Sequence, residues 1–228
     1  MSKPLSNHSS SPSGPLSHGP SAEESGDLHL VESSVSRGRE DYVLDSSEQF
    51  SMAASLILRA SGEEITREGL ERTPERFRKA MLHLLSGYEK SPQSVVGEGV
   101  FKAEGQGLVS VKDVEFYSLC EHHMLPFWGK ASVAYYPKRK ILGLSKIPRL
   151  VDLFARRFQV QERLTDQLAG AMVELLSPRA VAVRVSACHL CMMMRGVEKQ
   201  NSFTVTESSR GLDKLTEIEV QRLWKSLE

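Results

Sequence analysis

Cysteine, aromatic residues and net charge are all scarce in this chain of 228 residues. Its three cysteines cannot all pair with one another, and Cys188 and Cys191 stand too close in sequence to belong to a disulfide framework. That excludes a small stapled scaffold and fits a reducing compartment. Lys and Arg number 29 and so do Asp and Glu, so the broad positive field of a non-specific nucleic-acid binder or a polybasic membrane protein is missing. Any anion site must be local. No apolar run approaches the roughly 18–20 residues a membrane helix needs, and the N-terminus lacks the basic-then-apolar pattern of a secretory signal. The expectation is a cytoplasmic protein with neither nucleic acid nor membrane as partner. A hydrophobic fraction of 40% and a charged fraction of 25% match an ordinary soluble domain that can bury a core.

Residues 1–44 are rich in Ser, Pro, Gly and His, poor in apolar residues and free of helical or strand periodicity, which predicts a disordered tail. A transit peptide is the competing reading, but Glu23, Glu24, Asp27, Glu32 and Glu40 speak against it. The folded part, 45–228, opens on Asp45-Ser-Ser-Glu48 as a capping box before Phe50, Ala53, Ala54, Ile57 and Leu58, with Gly62 as a stop. Thr73 as N-cap and Pro74 at the first helical position mark a second helix, ending before Gly87. Val109 and Val111, then Val114 and Phe116, then Ala131, Val133 and Tyr135 read as one-sided strands. Ser145 can cap a helix bearing Ile147, Leu150, Val151, Phe154 and Phe158, and another helix carries Leu164, Leu168, Met172 and Leu175. Val181, Val183 and Val185, then Phe203 and Val205, give the last strands, and Thr216-x-x-Glu219 starts a terminal helix. This order predicts an α+β class, an antiparallel sheet with helices on one face.

The densest chemistry lies in Cys120-Glu121-His122-His123 and Cys188-His189-Leu190-Cys191. All three cysteines and three of the seven histidines fall in these two segments. Cys-x-x-His with a later Cys forms a three-ligand Cys2His set that leaves zinc an open position for activating water. The alternatives are a closed knuckle that adds Cys188, or buried thiols without metal. His122 and His189 suit proton transfer near neutral pH, or simple second-layer hydrogen bonding. Ser145, Lys146 and Arg149 at a helix start, with Arg195 four residues beyond Cys191, suit a polyphosphate. Glu162, between two helices, can cap a helix or accept the N–H/NH2 edge of a base such as guanine.

The strings Ser118-Leu-Cys-Glu-His-His-Met-Leu-Pro-Phe127, Gly143-Leu-Ser-Lys-Ile147, Gln159-Val-Gln-Glu-Arg-Leu-Thr165 and His189-Leu-Cys-Met-Met-Met-Arg-Gly196 resemble, in order, the signature segments of GTP cyclohydrolase I. The resemblance runs from about Asp45 to Thr206. It implies a tunnelling fold: a four-stranded antiparallel sheet over 101–228 with two helices on one face, preceded by a helical part over 45–100. It also implies a homodecamer of two stacked pentamers with active sites at subunit junctions. Position by position, Cys120, His123 and Cys191 match zinc ligands, and His122, His189 and Ser145 match catalytic residues. Glu162 and Gln161 match substrate-binding positions, with Glu162 on the guanine edge. Lys146, Arg149 and Arg195 match triphosphate ligands, joined by Arg76 from a neighbouring subunit. The implied activity converts GTP and water to 7,8-dihydroneopterin triphosphate and formate, the first step of pterin and folate synthesis. The alternative is a catalytically silent homologue or a structural zinc-binding assembly protein.

Overall fold

The computed structural model describes residues 46–228; the expected tail and the Asp45 cap lie outside them. Helix α1 (Ser46–Ala60) ends where Gly62 takes φ +81°, a left-handed turn that costs glycine nothing. Helix α2 (Thr73–Leu84) packs back on it, burying Ala54 and Met81. Thr73 is not its cap. Arg72 holds that position without a side-chain bond, and the Thr73 hydroxyl reaches back to the Gly69 carbonyl at 3.4 Å. The chain then passes Gly87, where a Cβ would stand 2.2 Å from the Leu153 carbonyl oxygen, so only glycine admits this approach. A short helix α3 (Pro92–Val96) follows, closed by a Ser91–Ser94 capping box.

The main sheet is built from β2 (Val109–Cys120), β3 (Pro126–Tyr136), β6 (Ala180–His189) and β7 (Thr204–Arg210), all antiparallel. These are the four expected strands. A fifth, β5 (Phe158–Gln159), is only two residues long and pairs parallel to the free edge of β2, too short to leave a periodic signal. A separate ribbon pairs β1 (Val100–Lys102) with β4 (Lys140–Leu142). The two valine segments read separately in the sequence form one strand. Between Val111 and Val114 the register slips by one residue, and Asp113 sits at φ +57° with its N–H donating to the Ser132 hydroxyl. Such a bulge shifts the alternation by one. Val109, Val111, Val114 and Phe116 can therefore all pack toward one core.

That core lies between the sheet and two helices, α4 (Lys146–Ala155) and α5 (Gln161–Leu176). Ile147, Leu150 and Val151 from α4 and Leu164, Leu168 and Met172 from α5 are fully buried against Phe127, Val133, Tyr135, Val183 and Val185. Each such side chain contributes about 1.5–3 kcal/mol by leaving water. The buried Tyr135 hydroxyl accepts from the Leu142 N–H at 3.1 Å, so it does not lie unsatisfied in the core.

The two helices expected on one face are α4 and α5, and a further, terminal helix α7 (Glu217–Lys225) is held by its Thr216–Glu219 capping box. It covers the opposite side of the sheet, where Leu223 and Leu227 pack on Ala134, Tyr136, Ala180 and Ala182. The alanines keep that end of the sheet shallow enough for a helix to lie flat. Arg179 fastens it, donating to Glu219 at 3.0 Å while stacking over Tyr136. No described helix is long and apolar enough to cross a membrane.

Candidate active site

Strands β2 and β6 are both neighbours of β3, which brings the end of each to the same border of the sheet. β2 ends at Cys120, and a tight turn, with Cys120 accepting from Met124 N–H and donating to Leu125 O at 2.8 Å each, carries Glu121, His122 and His123 into solvent. β6 ends at His189 and runs directly into a one-turn helix α6 (Leu190–Met193) that holds Cys191. The donor atoms of Cys120, His123 and Cys191 lie within 4.8 Å of one another, with Cys120 Sγ 3.8 Å from His123 Nδ1. Tetrahedral zinc with sulfur and nitrogen ligands sets its donors roughly 3.5 Å apart, so these three residues fit the ion. Burial, and then the neighbouring Cys120, push the Cys191 thiol above its ordinary range. Two thiols packed together without a cation resist ionising, the condition a dication relieves.

Cys188 is not part of this group. Its strand position opposite Trp128 turns it to the other face of the sheet, where it lines a shallow cleft with Tyr117, Trp128 and Phe203. The four-ligand knuckle therefore lacks its fourth member in this arrangement.

His189 is held on two sides. Its ring stacks on Phe127, centroids 4.7 Å apart and planes at 3°, and its Nε2 stands 2.8 Å from Gln161 Oε1. Burial pushes its pKa below the ordinary value, opposed by the charge of Glu162. Glu162 is exposed in the first turn of α5 and makes no capping bond, which leaves its carboxylate available to a ligand. Gln161, expected as a substrate contact, is instead 1% exposed, with its amide engaged by protein. His122 is exposed, its Nδ1 4.0 Å from Cys120 Sγ. Arg195 donates to His123 Nε2 at 3.2 Å, placing one guanidinium beside the Cys120–His123–Cys191 group.

One pairing here escaped the sequence reading. Arg163 of α5 grips Glu121 through two bonds of 2.5 and 3.0 Å, and the Glu121 N–H donates to Gln159 O at 3.1 Å. The turn bearing the two histidines is thus fixed to the start of α5. Both residues lie inside the recognised strings, yet nothing in their spacing of 42 residues signals a contact.

The other expected residues are elsewhere. α4 begins after β4 and runs back toward β5 beside Cys120, so its first turn is at its far end from Cys120. Ten residues of helix span about 15 Å. Ser145 occupies the N-cap position in helical conformation with no capping bond, correcting its expected role there. Lys146 folds against Gly99. Arg149 lines a cleft of about 550 Å³ with Lys90, Asp152 and Arg156. Arg76 is exposed on α2 without an ion-pair partner among the described residues, whereas Arg78 and Lys79 both pair with Glu75.

The sequence pattern of GTP cyclohydrolase I matches residues 50–226. The chain belongs to the GTP cyclohydrolase I family. The match extends past Thr206 through α7, so the terminal helix is part of the family pattern. Among curated relatives named GTP cyclohydrolase 1, that of Deinococcus radiodurans is 60% identical over 155 residues, 68% of this chain and 72% of its own length. Those of Leptospira biflexa and Chlorobaculum tepidum are 57% identical over 69% of this chain and 86% of theirs, and 51% over 77% of each. The chain is accordingly an enzyme, a hydrolase of a family that takes GTP as substrate.

Proposed function

We propose that this enzyme converts GTP and water to 7,8-dihydroneopterin triphosphate and formate, at sites completed between subunits of a homodecamer. The observation that carries the reading is the convergence of Cys120, His123 and Cys191 on one point beside His189, Glu162 and Arg195. Cys120, His123 and Cys191 would hold one zinc ion, which supplies Lewis acidity and activates water at neutral pH.

The remaining chemistry belongs to the chain's own groups. Glu162 accepts N1–H and the 2-amino group of guanine, which fixes the base with C8 toward the metal ligands. His189 delivers a proton to N7 as the C8–N9 and then C8–N7 bonds are cleaved and the C8 carbon leaves as formate. His122 and Ser145 move protons in the rearrangement of the freed ribosylamine. Arg195, Lys146, Arg149 and Arg76 bind the triphosphate, so that binding energy remote from C8 serves to position it.

Ser145 must lie close to the ribose, and the ribose is bonded to the base next to C8. Within one chain Ser145 is about 15 Å along α4 from the metal end. A second copy that lends its α4 start removes the discrepancy, and closing the sheets into a ring would also protect their edges. Incubation of the purified protein with GTP, followed by assay for formate and for a fluorescent oxidised neopterin, tests the activity. GTP turnover without formate would reject this reaction, and no turnover by zinc-loaded protein would support the catalytically silent alternative.

A further inference from the structure

Gln161 lies in a hydrogen-bond network whose proton positions can be assigned from its fixed donors and acceptors. Its Nε2 is 3.1 Å from Val185 O, 2.9 Å from Thr204 O and 3.1 Å from Thr206 Oγ1. Backbone carbonyls can only accept, so the NH2 group must face them. The opposite amide orientation would set an oxygen against two carbonyl oxygens, whose lone pairs repel it and go without a donor. The neighbouring hydroxyls agree. Thr165 donates to Gln161 O at 2.8 Å, which leaves Thr206 as the donor in the 2.6 Å contact between the two threonine oxygens.

With the amide so fixed, Oε1 faces His189 Nε2 and can only accept. His189 Nε2 must therefore carry hydrogen. The lone pair of the neutral ring is then on Nδ1, which has no hydrogen-bond partner among the described residues, and stacking on Phe127 prevents the ring from turning over freely.

We propose that Gln161 is a positioning residue that sets the tautomer of His189, and that Nδ1 is the atom through which His189 exchanges its proton with the substrate. This rests on the reading of His189 as the proton carrier. Nδ1 takes a proton from a solvent hydronium ion, releasing water, the imidazolium gives that proton to purine N7, and the ring returns to the neutral form with Nε2–H unchanged. The bond to Gln161 Oε1 persists throughout, so the amide also stabilises the imidazolium without moving. Gln161 itself touches no substrate.

The test uses the full-length, zinc-loaded protein with ring-15N-labelled histidine, His189 being assigned by the signal lost in His189→Asn. Solid-state NMR of the parent should show protonated Nε2 and bare Nδ1. Gln161→Met, close in size but unable to accept, should admit the Nδ1–H form and lower kcat about tenfold or more. KM for GTP should stay within about twofold and zinc content should not change. An Nδ1–H tautomer in the parent overturns the proposal whether or not any variant assembles. So does a Gln161→Met enzyme with raised KM and parental kcat, which would make Gln161 a substrate contact, or one that loses zinc, which would place its role at the metal. A parent that shows the expected tautomer but no GTP turnover would refute the reaction while leaving the tautomer assignment intact.

Discussion

If the α4 start of one subunit serves the metal end of another, two different inactive enzymes should repair each other. The first is Cys191→Ser, which removes one of three metal ligands and leaves α4 intact. The second is Lys146→Ala with Arg149→Ala, which keeps the metal site but loses two charge-assisted phosphate contacts. At about 1.5–3 kcal/mol each, their loss weakens GTP binding more than about 100-fold, so each protein alone gives a low background at limiting GTP. When the two are mixed in equal amounts and subunits exchange at random, a site is whole only where an intact metal set meets an intact α4. That occurs at about one junction in four, so activity should rise to roughly a quarter of the parental value. Native mass spectrometry confirms mixing, and release of formate at limiting GTP reads the activity. Mixed oligomers that stay at background would show that both sets act within one chain, and the separation of about 15 Å along α4 would have to close by movement of the helix.

The placement of Cys188 on the far face predicts that Cys188→Ser keeps zinc and activity while Cys191→Ser loses both, as measured by metal analysis; equal zinc loss would contradict the three-ligand set. Glu162→Gln should lose most GTP turnover, and ATP should not be turned over by the parent, because adenine offers an acceptor at N1 and has no 2-amino group; steady-state kinetics decide both. The Arg163 guanidinium holds the Glu121 carboxyl below the usual carboxylate range, so this pair stabilises the fold above the unfolded pKa and its contribution disappears as pH falls through the folded one. Arg163→Gln should therefore be less stable than the parent at neutral pH, with the gap in denaturation midpoint narrowing in acid; a gap that widens there would refute the assignment.

The sequence by itself determined the types of the main helices and strands and brought Cys120, His123 and Cys191 forward as candidate metal ligands. Cys120 and His123 are three residues apart, and at that range one turn of backbone is enough to bring two donors to one point. Alternation was legible on either side of the bulge between Val111 and Val114, but not that the two segments form one strand. Tertiary structure alone decided what depends on where the chain returns. The partners of the Gln161 amide come from 24, 43 and 45 residues away, and Arg163 meets Glu121 across 42, so no local pattern records either contact. Cys188 and His189 are adjacent in sequence, yet the pleat of β6 sends one to each face of the sheet. The start of α4 carries residues suited to phosphate, but the direction in which the helix runs back over the sheet sets them away from Cys120, His123 and Cys191 of their own chain. That direction is fixed by burial of the α4 stripe against the core, which is a property of the packed layers.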